Sequence, residues 1–344
     1  MRRYGIHGDY VKRICFFVVV AFALCFLVPH PACSQDEGRI NIHESGNTYK
    51  VVYFRNHALS TYNPNIRRAV IAIHGAERGA QFQYNTMRDA ACLPGTAPCS
   101  RLNSTIIIAP HFMEEDDLAG YDLEDDGLFW SSGWKFGDLS KDTTAHPRAD
   151  RISSYDVMDR IIHFLATGGS FPNLEDIVIA GHSAGGQYVN RYAAISPVET
   201  SIAGTGVDVK YIIANPSSYV YFTDERVYPG TMDTFLEPHP LWSSLCPDPD
   251  CCPDDPDPCP FTYDEYIYGL SGDLNTYVGD VVDDIGIPGI MTRYADKKVT
   301  ILLGRLDKNP CDSSLDKSCG ANLEGRYRLE RGPVSYTHLR AHET

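Results

Sequence analysis

Basic residues are scarce in this 344-residue chain: 30 Lys and Arg stand against 45 Asp and Glu, for a formal charge of −15. An acid balance of that size repels nucleic acid and anionic membrane, so neither is expected as a partner. Long hydrophobic runs are also missing. The one apolar stretch, Ile14 to Val28, is short for a bilayer span, and nothing after it comes close. No phosphate-cradling glycine loop, no paired-histidine metal helix and no dinucleotide glycine pattern occurs, so no cofactor and no metal is expected. No internal repeat is visible. The acidic segment Glu114 to Asp126 lacks the ligand spacing of a calcium loop and reads as a solvated loop. What remains, with a hydrophobic fraction of 43%, is ample for a globular core in one large domain or two small ones.

The N-terminus carries Arg2, Arg3, Lys12 and Arg13, then the apolar run, then Ala32-Cys33-Ser34. This basic, apolar, small-residue order is that of a signal peptide over residues 1–34, with cleavage after Ser34, which predicts a secreted or periplasmic protein with no membrane span after cleavage. Lipidation of Cys33 is the rival reading, but His30-Pro31-Ala32 is a poor approach to it. Of 11 cysteines, those at 92, 99, 246, 251, 252, 259, 311 and 319 lie beyond the signal. An even set in an exported chain reads as disulfides. Cys92 with Cys99 and Cys311 with Cys319 have the spacing of local staples. The connectivity of Cys246, Cys251, Cys252 and Cys259 stays open, and zinc is disfavoured there because no histidine lies among them.

At the other end, Val334 to Thr344 reads as a translated sequencing adaptor, so residues 333–344 are expected to be a non-native tail and the natural chain to continue past Gly332. His338 and His342 are set aside as chemical candidates for that reason.

Between these ends, residues 35–332, the apolar runs at Arg68–His74, Ser104–Ala109, Asp176–Ala180, Val209–Ala214 and Val299–Leu303 read as buried strands, and Thr48–Phe54 as a further strand. Ser153 or Ser154 caps a helix that stops at Gly168-Gly169, a second helix runs through Tyr192, and a third is expected over Asn322–Arg331. Alternating strands and helices predict an α/β protein with a doubly wound, mostly parallel sheet. The interval 216–298, rich in Tyr, Pro, Asp and Cys, reads as an inserted disulfide-rich lid or excursion, or as surface decoration.

The sharpest motif is Gly181-His182-Ser183-Ala184-Gly185, which follows an apolar strand and opens a helix. Small residues flank Ser183 because the turn is tight, and the turn lifts the hydroxyl out at a helix N-terminus as a nucleophile. Attack on a carbonyl needs two donors for the developing oxyanion. The Ala184 N–H is one. The loop after an earlier strand, Ile73-His74-Gly75-Ala76, offers the other through Gly75 or Ala76, with His74 positioning it or, in the competing reading, acting as a free base. Asp307, after the strand Val299–Leu303 and Gly304, supplies the acid, unless it is only a turn residue. The base should follow on a loop beyond one more strand, and no residue before the tail has that place. The last strand and its histidine loop are therefore expected to be missing from this sequence.

On these residues the chain resembles the α/β-hydrolase superfamily. From about Val51 to Arg331 it is similar to secreted bacterial and fungal members, through His74-Gly75 with Arg78, Trp130-Ser-Ser-Gly-Trp134, the Ser183 motif with Gln187 and Arg191-Tyr192-Ala193, and Ala214-Asn-Pro-Ser-Ser-Tyr219. The resemblance implies an α/β-hydrolase fold, with Ser183 and Asp307 in triad positions and no residue matching the third. His74, Trp130, Trp134, His182 and Tyr219 are candidates for the rim of a substrate pocket, with core packing the alternative for the aromatics. The function expected is hydrolysis of a small-molecule or polymer carboxylic ester. Amide or peptide cleavage by the same nucleophile is second, and an inactive truncated hydrolase or binding module is third.

Overall fold

The computed structural model describes residues 36–92, 99–228, 230–238 and 263–341. The signal segment and Cys246, Cys251, Cys252 and Cys259 lie outside them.

The strands of the main sheet are β1 (Asp36–Glu44), β2 (Asn47–Arg55), β3 (Arg68–Ile73), β4 (Thr105–Pro110), β5 (Asp176–His182), β6 (Asp208–Ala214) and, after the short ribbon β7 (Arg226–Val227) and β8 (Phe235–Leu236), β9 (Lys298–Leu302). They are ordered β1-β2-β4-β3-β5-β6-β9. β1 and β2 form an antiparallel hairpin, and β2 meets β4 antiparallel; every pairing from β4 to β9 is parallel. The hairpin turn is Ser45-Gly46, with φ of 47° and 88°. Two left-handed residues between paired strands are the twist-compatible type I′ solution.

Both faces of β3, β4 and β5 are covered, which explains their continuous apolar runs, whereas β9, expected as a buried strand, lies at the sheet edge and is only part-buried. Ala69, Ile71 and Ile73 of β3 and Ile106 and Ile108 of β4 face one core with Val51 and Tyr53; Ala72, Ile107 and Ala109 face the other with Val52 and Phe54. The second, smaller core is closed by α1 (Ala80–Ala91) through Ala80 and Tyr84. The larger is closed by α2 (Ser154–Thr167), α3 (Ala184–Ile195), the short α4 (Val198–Ser201) and α5 (Thr276–Ala295). The Ser153 hydroxyl caps α2 by accepting from the Tyr155 N–H at 3.1 Å, and Gly168 ends it. The doubly wound arrangement expected from the strand and helix alternation is present.

Two details differ from the sequence reading. The later part of the interval 216–298 is α5, a crossover helix from β6 to β9, broken by Gly286 at φ 66° and Pro288. Its acids, glycines and proline dilute the apolar periodicity that would mark a helix. The helix expected over Asn322–Arg331 is two: α6 (Cys319–Asn322) and α7 (Arg328–Ala341), parted by Gly325 at φ 142°. Residues 333–341 thus lie in α7, where Val334 is buried and the His338 ring packs on Tyr221 and Phe235. Among the described residues no strand follows β9, and no helix is long and apolar enough to cross a membrane. Cys92 and Cys99 form a disulfide, and Cys311 and Cys319 are disulfide-bonded as well.

Candidate active site

The chain leaves β3 for β4 on one side and later returns to β5 on the other. In a doubly wound sheet such a reversal opens a crevice at the carboxyl ends of the strands. β5 ends there in His182, and Ser183 follows at φ 58°, ψ −118°, a backbone region that L side chains avoid. Its N–H donates to the Ala214 carbonyl at the end of β6, 3.0 Å away. Glycine is required on both sides of the turn. A Cβ on Gly181 would lie 2.2 Å from the Gly185 carbonyl oxygen, and one on Gly185 would lie 2.5 Å from that of Ile73. The turn is therefore wedged between β3 and β6, Ser183 is half-buried, and α3 carries the Ala184 N–H in its unpaired first turn.

Across the crevice, β3 runs into His74, whose side chain is fully buried. Its Nδ1–H donates to the Gly75 carbonyl (2.9 Å), and its Nε2 accepts the Phe112 N–H (3.0 Å). Burial, and then the neighbouring His111, push the His74 pKa down to about 3. A neutral ring with both nitrogens engaged is an orienting group and has no lone pair left for base chemistry. The Arg78 N–H also donates to the Gly75 carbonyl, at 3.1 Å. Because a trans peptide is planar, a Gly75 C=O turned inward to these two donors aims the Ala76 N–H the opposite way. The loop is open there: Ala76 is exposed, and a Cβ on Gly75 would meet nothing within 4 Å.

On the other flank the loops after β6 and β9 are tied together, with Asn215 Oδ1 accepting the Gly304 N–H at 2.6 Å. Asp307 follows, its N–H bonded to the Gly304 carbonyl and its own carbonyl to the Leu329 N–H. The carboxylate lies 3.4 Å from Arg328 Nη1, which is also 3.6 Å from Asp312 and donates through Nη2 to Ser314. Partial desolvation and then the Arg328 charge lower the His182 pKa, while Asp307 opposes them.

No family model matches this sequence, and no curated protein matches it. Solved structures do. Poly(aspartic acid) hydrolase-1 from Sphingomonas sp. KT-1 shares 19% identity over 89% of this chain and 86% of its own, with a TM-score of 0.50. A poly(3-hydroxybutyrate) depolymerase from Bordetella parapertussis shares 19% over 90% of this chain and 78% of its own, at 0.51. The chain has the α/β-hydrolase fold.

Within that α/β-hydrolase frame Ser183, Ala184, Gly75, Ala76, His74, His182 and Asp307 gather at the carboxyl end of the sheet. Three aromatic rim candidates do not reach the surface. Trp130 and Trp134 are 1% and 2% exposed, and Tyr219 is fully buried. Trp134 stacks on Phe112 at 9° and contacts His74 at 4.5 Å, and the Trp130 Nε1–H donates to the Ile152 carbonyl. Aromatic partners from distant segments, Phe112 and Tyr188, draw the tryptophans into the core below the crevice. The Tyr219 N–H donates to buried Glu324 at 2.8 Å. Sequence reasoning overlooked Arg328, at the start of α7, and Asp117, in the helical turn Glu115–Tyr121, single charges that no motif flags.

Proposed function

We propose that this protein is an exported serine hydrolase that cleaves carboxylic esters through a Ser183 acyl-enzyme. The observation carrying the reading is the backbone of Ser183, held at φ 58° between two strand ends by glycines that admit no side chain. Such strain persists where the surrounding structure over-determines it and where chemistry uses it.

In the proposed reaction Ser183 Oγ attacks the ester carbonyl, and its proton passes to a histidine base and on to the leaving alcohol. The tetrahedral oxyanion is met by the Ala184 and Ala76 N–H groups. Asp307 holds the imidazole in its productive tautomer. Water then repeats the sequence on the acyl-enzyme and regenerates Ser183.

One observation favours a second reading, an inactive scaffold that keeps the turn: the Asp307 carboxylate is already engaged by Arg328. Short-chain nitrophenyl esters and a fluorophosphonate probe separate the two on the full-length protein. Hydrolysis and labelling that vanish in Ser183→Ala support the enzyme; neither reaction in the wild type supports the scaffold. Peptide anilides run beside the esters test amide cleavage.

A further inference from the structure

The loop that offers the Ala76 N–H is fastened at its far end by a residue the mechanism leaves unused. Arg78 sits at φ 56°, a left-handed conformation uncommon outside glycine. Its side chain is anchored on three sides. Nε donates to Asp117 Oδ2 at 2.7 Å, Nη2 reaches Asp117 Oδ1 at 3.4 Å, and Nη1 lies 3.3 Å from Glu114 Oε2. Asp117 is itself set in place, because its Oδ2 also accepts the Glu114 N–H (2.9 Å) in the capping box that opens the turn Glu115–Tyr121. Burial works against its charge, yet the Arg78 fork and the Glu114 N–H outweigh it and leave the carboxyl below its ordinary value. Beneath the pair lies His111, buried, 4.0 Å from Asp117 Oδ2 and edge-on to His74 at 5.6 Å.

We propose that Arg78 and Asp117 form a latch that holds the 74–79 loop in the conformation presenting the Ala76 N–H, which makes both positioning residues for acyl transfer. The proposal rests on the serine hydrolase reading above and gives the acidic segment 114–117 a task in it. The geometry links the parts directly: the Arg78 backbone N–H fixes the Gly75 carbonyl from one side while its guanidinium is anchored to the loop after β4. Both latch side chains are about a quarter exposed (26% and 22%). Ion pairs at that level of exposure add little to global stability. An oxyanion donor displaced by a fraction of an ångström, in contrast, loses much of its effect on the transition state. Opening the latch should therefore cost rate and spare the fold.

The test is steady-state hydrolysis of nitrophenyl acetate by the full-length protein, with thermal melts and fluorophosphonate labelling alongside. Asp117→Asn and Arg78→Met should each lower kcat by about tenfold to hundredfold, with KM within about twofold of wild type and slowed but complete labelling of Ser183. The double variant should be no worse than either single one, since both open the same latch. Arg78→Lys, which keeps the cation and loses the fork, should fall between wild type and Arg78→Met. Folded variants with wild-type kcat overturn the latch, and so does a change confined to KM. Should Asp117→Asn fail to fold, Arg78→Lys decides alone, and wild-type kcat in it overturns the proposal. A wild-type protein that neither labels nor hydrolyses overturns the hydrolase reading instead, and the latch with it.

Discussion

A Cβ added to Gly185 would stand 2.5 Å from the Ile73 carbonyl oxygen and 2.7 Å from that of His74. The helix carrying Ser183 is thus pressed against the end of β3 with no room for a methyl group, and the atoms in the way are backbone. Gly185→Ala should cost at least about 2 kcal/mol, since a rigid backbone cannot yield as a side-chain tip can. Urea unfolding measures it; an unchanged midpoint would show that the turn has slack.

Ser183 carries strain of its own. Glycine tolerates φ 58°, so Ser183→Gly should abolish any Ser183-dependent hydrolysis while raising stability by about 1 kcal/mol, the relief of the left-handed conformation less the added freedom of the unfolded chain. Ser183→Ala keeps the Cβ and should abolish the same activity without that gain. Paired thermal melts compare the two, and equal melting temperatures would contradict the claim that the turn is strained.

The buried histidines set the acid limb of stability. Burial pushes His74 to about 3 and His111 to about 4 from an ordinary 6.5. Their folded forms are neutral while the unfolded chain takes up protons below 6.5, so their contribution is present above that value and lost as pH falls towards 4 and 3. The charges facing His111 are Asp117, Arg78 and Glu37. Neither of its nitrogens is hydrogen-bonded, so His111→Phe should fit the site and flatten the loss of stability between near-neutral pH and about pH 5. Comparing this variant with wild type isolates the effect from Asp156, which burial and Asp159 raise to about 6 and whose contribution runs the opposite way, lost as pH rises through that value. Equal pH dependence of the two urea midpoints would count against the assignment.

Trp134 belongs to the core. Trp134→Ala should destabilise by about 3–5 kcal/mol, because the ring is buried between His74, Phe112 and Tyr188. A folded Trp134→Ala protein with an altered KM and wild-type stability would restore it to the pocket wall.

These cases mark what the sequence could reveal. The isoleucine-rich strands and the Ser183 turn were legible because both write their physics locally: two buried faces demand an unbroken apolar run, and a tight turn demands glycine. β1 was not, since Ile40 and Ile42 are its only apolar side chains, too short a stretch of alternation to stand out as a strand. α1 buries only Ala80 and Tyr84, too little for an amphipathic stripe. The depth of Trp130 and Trp134 depends on Phe112 and Tyr188, and the Asp307 environment on Arg328, partners that no spacing in the sequence announces.

The nucleophile itself is tested most directly by intact-mass and peptide-mapping spectrometry after fluorophosphonate treatment of the full-length protein. A single adduct on the peptide containing Ser183, absent from Ser183→Ala, is the predicted result. No adduct under native conditions, or one that persists in Ser183→Ala, would contradict the account.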